Sequence, residues 1–186
     1  MSNRRDFLRK LAAVGATMGL SPFAINRMIG AEEVKFKTKH YKDDTSENGM
    51  ATMISTWNHG MQANSAGFKV LNAGGNAMDM IEAAARIVEE DAEGLSVGLG
   101  GLPDRDGNVT LDACCMDHKG RAGSVCFLQD IMYPLSVARK VMEETPHVML
   151  AGEGAKQFAL EQGFKTTDLL TEKAKKAWEK WKVESK

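Results

Sequence analysis

Ser96-Val97-Gly98-Leu99-Gly100-Gly101 runs through Leu102-Pro103-Asp104-Arg105-Asp106-Gly107-Asn108 into the apolar stretch Val109 to Met116. Reading this passage decides the fold. A glycine cluster that followed a strand and opened a helix would suggest a nucleotide-binding unit. Here the cluster follows a helical pattern, Ala77 to Glu90, with Met80, Ile81, Ala84, Ile87 and Val88 on one face. It carries neither dinucleotide spacing nor a Gly-Lys-Ser/Thr. It therefore reads as a tight backbone turn that brings peptide groups close to another segment. The Pro-Asp-Arg-Asp-Gly-Asn that follows is turn chemistry leading into a strand.

Downstream, Val109 to Met116 and Gly123 to Leu128 flank the turn Asp117-His118-Lys119-Gly120-Arg121, which predicts a hairpin. Pro134 suits the first turn of a helix through Val137, Ala138, Val141 and Met142. His147 to Leu150 suits a short strand, and Ala155 to Gln162 a helix closed by Gly163. Thr166-Thr167-Asp168 offers a cap for a lysine-rich segment with Leu169, Leu170, Ala174, Ala177, Trp178 and Trp181. Upstream, Met50 to Trp57 reads as a buried strand, and a helical pattern begins after Asn58-His59-Gly60 and stops at Gly74-Gly75. The order β α α β β α β α α belongs to the α/β or α+β class, with helices able to cover a sheet.

The chain has 186 residues and a formal charge of −1, which excludes a strongly basic nucleic-acid binder. That charge averages unlike pieces. Residues 1–31 hold five basic residues against Asp6 alone, +4, and the remainder −5. Arg4-Arg5, then Phe7-Leu8-Arg9-Lys10 and a short apolar run, resemble a twin-arginine export signal. We read 1–31 as that signal, 32–49 as a polar lead-in and 50–186 as the folded portion. The expected location is the periplasm or cell envelope.

Three cysteines are too few for a disulfide scaffold. Cys114 and Cys115, adjacent on a strand, point to opposite faces and cannot both reach one metal ion with His118 or Cys126 without a kink. Small buried hydrophobes is the preferred reading, with a disulfide from Cys126 left open. His40, His59, His118 and His147 are scattered, with no nucleophile elbow. Glu89, Glu90, Asp91, Glu143 and Glu144 read as solvated helical carboxylates. Asp112 and Asp117 on the hairpin need partners, and structural hydrogen bonding is the better reading of both. Trp57 is the best single pocket candidate, a core tryptophan being the alternative. The residues alone give an exported α/β domain with no complete catalytic set.

Four segments in order carry a family resemblance. They are Ile54 to Asn58, Leu71 to Asp79, Ser96 to Gly107 with Thr110 to Ala113, and Ser136 to Glu143 with Thr145 to Leu150. Together they resemble glycosylasparaginase, the N4-(β-N-acetylglucosaminyl)-L-asparaginase branch of the N-terminal-nucleophile hydrolases, from about Thr52 to about Trp181. The resemblance implies an αββα sandwich, incomplete in this chain, from a precursor that cuts itself before a threonine. The new terminal amine then serves as base for the threonine hydroxyl, which attacks the side-chain amide of glycosylated asparagine. It implies no metal or cofactor, and a partner in the form of a β-subunit-like second half, giving an αβ heterodimer or its dimer.

Residue by residue, the resemblance makes Trp57 a wall of the substrate pocket and Ser96 a hydrogen-bond partner behind the nucleophile. His59 stands where the family commonly has phenylalanine. The family's Asp-Thr opening an apolar strand has no counterpart. Asp44-Thr45 lies in the polar lead-in, so the nucleophilic threonine is expected outside this chain, which alone should be inactive. A truncated, non-catalytic or partner-binding fragment is the alternative reading. So is an L-asparaginase or isoaspartyl dipeptidase of the same superfamily.

Overall fold

A computed structural model describes residues 51–185. The expected twin-arginine leader at 1–31, the whole lead-in at 32–49 and Asp44-Thr45 lie outside the described residues. The element order is α1 (Gly60–Asn72), α2 (Ala77–Glu89), β1 (Thr110–Met116), β2 (Ala122–Gln129), α3 (Pro134–Glu144), β3 (Met149–Ala151), α4 (Gly152–Glu161) and α5 (Glu172–Glu184). The expected class, α/β, holds.

The hairpin forms where the turn chemistry places it. Asp117 Oδ1 accepts from the N–H groups of Lys119 and Arg121, each at 2.9 Å, and Oδ2 pairs with Arg121 Nε at 2.7 Å. One side chain thereby closes the turn and fixes the register, with Met116 opposite Ala122 and Cys115 opposite Gly123. A bulge between Leu111 and Ala113 breaks that register, and there Asp112 Oδ1 accepts from Phe127 N–H at 2.7 Å. Both acids do the structural work expected of them.

From β2 the chain crosses through α3 to β3, which pairs parallel to β2, so the sheet order is β1-β2-β3. Pro134 opens α3 at its first turn, and Val137, Ala138 and Val141 are fully buried. With Val125, Leu128, Ala155 and Ala159 they form the main core between the sheet and helices α3 and α4. Cys115 is buried there, whereas Cys114 on the opposite face is exposed and Cys126 half-buried. The small-hydrophobe reading thus holds for Cys115 but not for Cys114, and all three thiols are free.

Asn76 caps α2 through a reciprocal box: its side chain accepts from Met78 and Asp79 N–H, and Asp79 accepts from Asn76 N–H. The helix then meets α3 through Arg139, which pairs with Asp79 and Glu82 at 2.7 Å and Glu143 at 2.8 Å.

Two local expectations fail for identifiable reasons. Residues 51–56 have no regular secondary structure and enter no ladder among the described residues. They lie along α1 instead: Ser55 Oγ donates to Asn64 Oδ1, and Met53 and Ser55 pack where Gly67 and Gly60 have no side chain. The cap of α5 is Thr171, not Thr166 to Asp168. Thr166 bridges Ile131, and Thr167 N–H donates to Asp130 O at 2.8 Å, so this stretch is committed to pairing before the helix starts.

Candidate active site

A cleft of about 920 Å³ opens between residues Thr52 to Thr56, the α2 face carrying Ala84 and Val88, and the β1 residues Thr110 to Cys114. Ser96 and Val97 also line it. Among the described residues β1 pairs only with β2, so its other edge is open.

The loop that carries Ser96 is built backwards from its glycines. Gly98 adopts φ +60°, in the left-handed region that a side chain disfavours. It is also pressed against the end of α2, where a Cβ on Gly98 would sit 2.1 Å from Glu89 O. Leu99 N–H donates to that same carbonyl at 2.8 Å, and Gly100 N–H to Leu169 O at 2.8 Å. The glycines let backbone meet backbone, as the turn reading requires. Farther on, Asp104 Oδ1 accepts from the N–H groups of Asp106 and Asn108, and these bonds hold its carboxyl below the usual carboxylate range.

The two sequence candidates are placed differently. Ser96 lies in the cleft lining. Trp57 sits between Thr56 and His59, both of which line the cleft, but it does not line it. Its side chain is not in a buried strand: the residue is 83% exposed and has φ +67°. That backbone conformation costs a bulky residue on the order of 1–3 kcal/mol and is found where function holds it. An exposed, strained tryptophan beside a cleft is inconsistent with a core role. Trp57→Ala should therefore leave the denaturation midpoint within about 0.5 kcal/mol of the parent, as exposed sites do. A larger loss in a urea titration would restore a packing role.

Sequence reasoning missed Glu89, which is 4% exposed rather than solvated. Its Oε1 accepts from Leu135 N–H at 3.1 Å, and its buried Oε2 has no partner among the described residues. Burial, chiefly, pushes this carboxyl up to about 7, against the pull of the Leu135 N–H and Arg86. The available signal was spacing: Glu82 and Glu89 are seven apart, which puts both on the α2 stripe facing α3. No group of three or more His, Cys, Asp or Glu able to hold a metal occurs among the described residues.

Residues 38–186 match the asparaginase family. The chain belongs to that family. It is 46% identical over 180 residues to the N(4)-(β-N-acetylglucosaminyl)-L-asparaginase of Elizabethkingia miricola, covering 97% of this chain and 50% of that protein. It is also 41% identical over 127 residues to an isoaspartyl peptidase/L-asparaginase of Rattus norvegicus, covering 66% of this chain and 38% of that protein. Against a plant-type L-asparaginase of Pyrococcus abyssi the identity is 42% over 118 residues, covering 63% of this chain and 38% of that protein. This asparaginase-family chain thus spans about half the length or less of these relatives. The resemblance to glycosylasparaginase stands.

Proposed function

We propose that this chain forms part of an amidohydrolase that releases aspartate from asparagine carrying a sugar on its side-chain amide. The observation that carries the reading is the 46% identity extending over 97% of the chain, with a relative whose name specifies that substrate. The matches to isoaspartyl peptidases and L-asparaginases are shorter, 127 and 118 residues. They support amide hydrolysis of asparagine-type substrates as the shared chemistry, and keep free asparagine or a β-aspartyl dipeptide as the second reading.

In the proposed enzyme a second segment, outside these 186 residues, supplies the threonine nucleophile. The 50% coverage of the first relative supports a missing partner of comparable length. A free α-amine titrates near 8 whereas lysine sits near 10.4, so a terminal threonine can take up its own hydroxyl proton at neutral pH. The hydroxyl attacks the amide carbon, and hydrogen-bond donors hold the oxyanion. The amine returns its proton to the leaving nitrogen, and water releases aspartate. Ser96 would bond behind the nucleophile from the cleft lining, and Trp57 would wall the asparagine portion of the substrate. No metal or cofactor has a part. Rates of aspartate release from glycosylasparagine, asparagine and β-aspartyl dipeptide by chain and second segment together test the substrate; preference for either of the last two would favour the second reading.

Export by the twin-arginine route belongs to the same proposal, supported by Arg4-Arg5 and the short apolar run after Lys10. Replacing both arginines by lysine should abolish appearance of the protein in the periplasmic fraction. Unchanged export would remove the leader assignment.

A further inference from the structure

Glu89 joins three parts of the candidate site. Its backbone carbonyl receives Leu99 N–H from the glycine loop, and Gly98 packs directly on it. Its Oε1 takes Leu135 N–H from the first turn of α3, where Pro134 has no N–H of its own to offer. Its Oε2 is sealed from solvent and has no partner among the described residues.

The charges around it leave that oxygen uncompensated when ionised. On α2 and at its C-cap, Arg86 favours the anion while Glu82 and Glu90 oppose it. Arg86 is already engaged, 3.8 Å over the Tyr133 ring and 3.4 Å from Ser136 Oγ. Glu90 accepts from Tyr133 Oη, and Glu82 from Ser136 Oγ. The start of α3 offers a peptide N–H, and residues Ser96 to Gly101 carry no charge. A protonated Glu89 satisfies Leu135 with Oε1 and places a neutral group at Oε2. An ionised one places an unpaired anionic oxygen in a buried position, which is costly.

We propose that Glu89 is a positioning residue of this site: as a neutral acid it seats the end of α2, on whose backbone the Ser96 loop rests, against the start of α3, and losing its proton loosens that junction and the loop with it. The clamp is a property of the described chain; its effect on catalysis rests on the amidohydrolase reading. The sign follows from the raised carboxyl. Its stabilisation is complete below the ordinary carboxylate range and is lost as pH rises through about 7.

Amide hydrogen exchange on the full 186-residue chain tests the clamp. Protection factors of Leu99 and Leu135, corrected for intrinsic rates, should fall about tenfold or more between about pH 5.5 and about pH 8. In Glu89→Gln, a neutral side chain of the same shape, they should change less than about twofold. Constant protection in the parent, or the same fall in the glutamine variant, would overturn the clamp. In the assembled enzyme kcat should lose ground in the parent relative to Glu89→Gln above about pH 7, with KM unchanged. Identical kcat profiles would overturn the positioning role alone. An assembled enzyme that hydrolyses none of the substrates would refute the amidohydrolase reading, leaving the exchange result to decide the clamp.

Discussion

Gly123→Ala is expected to destabilise the fold by on the order of 3 kcal/mol or more, a large share of the roughly 5–15 kcal/mol that holds a typical domain together. The reason is space rather than backbone conformation. A Cβ at Gly123 would meet Ala138 O at 2.2 Å, Met142 N at 2.5 Å and Met142 Cβ at 2.7 Å. Two of those atoms are helix backbone and cannot rotate away. Accommodating one methyl group means lifting α3 from β2, and α3 carries Val137, Ala138, Val141 and Met142 into the main core. Gly120 is the control, because it has φ +78° and nothing within 4 Å. Gly120→Ala should cost only the left-handed penalty, on the order of 1–2 kcal/mol. Urea midpoints of the two variants against the parent decide the matter. A Gly123→Ala midpoint equal to the parent's would mean that α3 does not rest on β2 as described.

The sequence was most legible where one short stretch determines its own geometry. Asp117 to Arg121 closes its turn with one aspartate, and Pro134 and Gly163 punctuate helices as their backbone chemistry requires. The glycine loop after α2 was also readable, because only backbone-to-backbone contact explains Gly98 and Gly100 so close together.

Legibility failed where a residue's environment depends on a distant partner. Residues 51–56 have strand composition, but β propensity measures fit to neighbours, and their described neighbour is the Gly60, Asn64 and Gly67 side of α1. Thr166 and Thr167 look like helix caps until Asp130 and Ile131 claim their backbone. Glu89 reads as a surface acid because the element that buries it, α3, begins 45 residues later at Pro134. Of the candidate site, the tight turn after Ser96 was readable from its glycines, whereas the exposure of Trp57 was not.

The second large effect is all or none. The cleft and its glycine loop are walls, and walls position a substrate without supplying a nucleophile. Losing the nucleophile of a hydrolase lowers kcat by about six orders of magnitude, leaving only what binding and oxyanion donors provide. The proposed division places Ser96 and Trp57 on this chain and the reactive threonine on the second segment. The two parts should therefore differ from their sum by that factor. Within the assembled enzyme, Trp57→Ala should lower kcat/KM while leaving this chain's stability unchanged.

The most direct measurement is aspartate release from glycosylasparagine, made on the purified 186-residue chain alone and on the chain co-expressed with a second segment whose first residue is the threonine. The account predicts no release above buffer from the chain alone and measurable turnover from the pair. Hydrolysis by the unaided chain would contradict it, because the nucleophile would then lie within these residues.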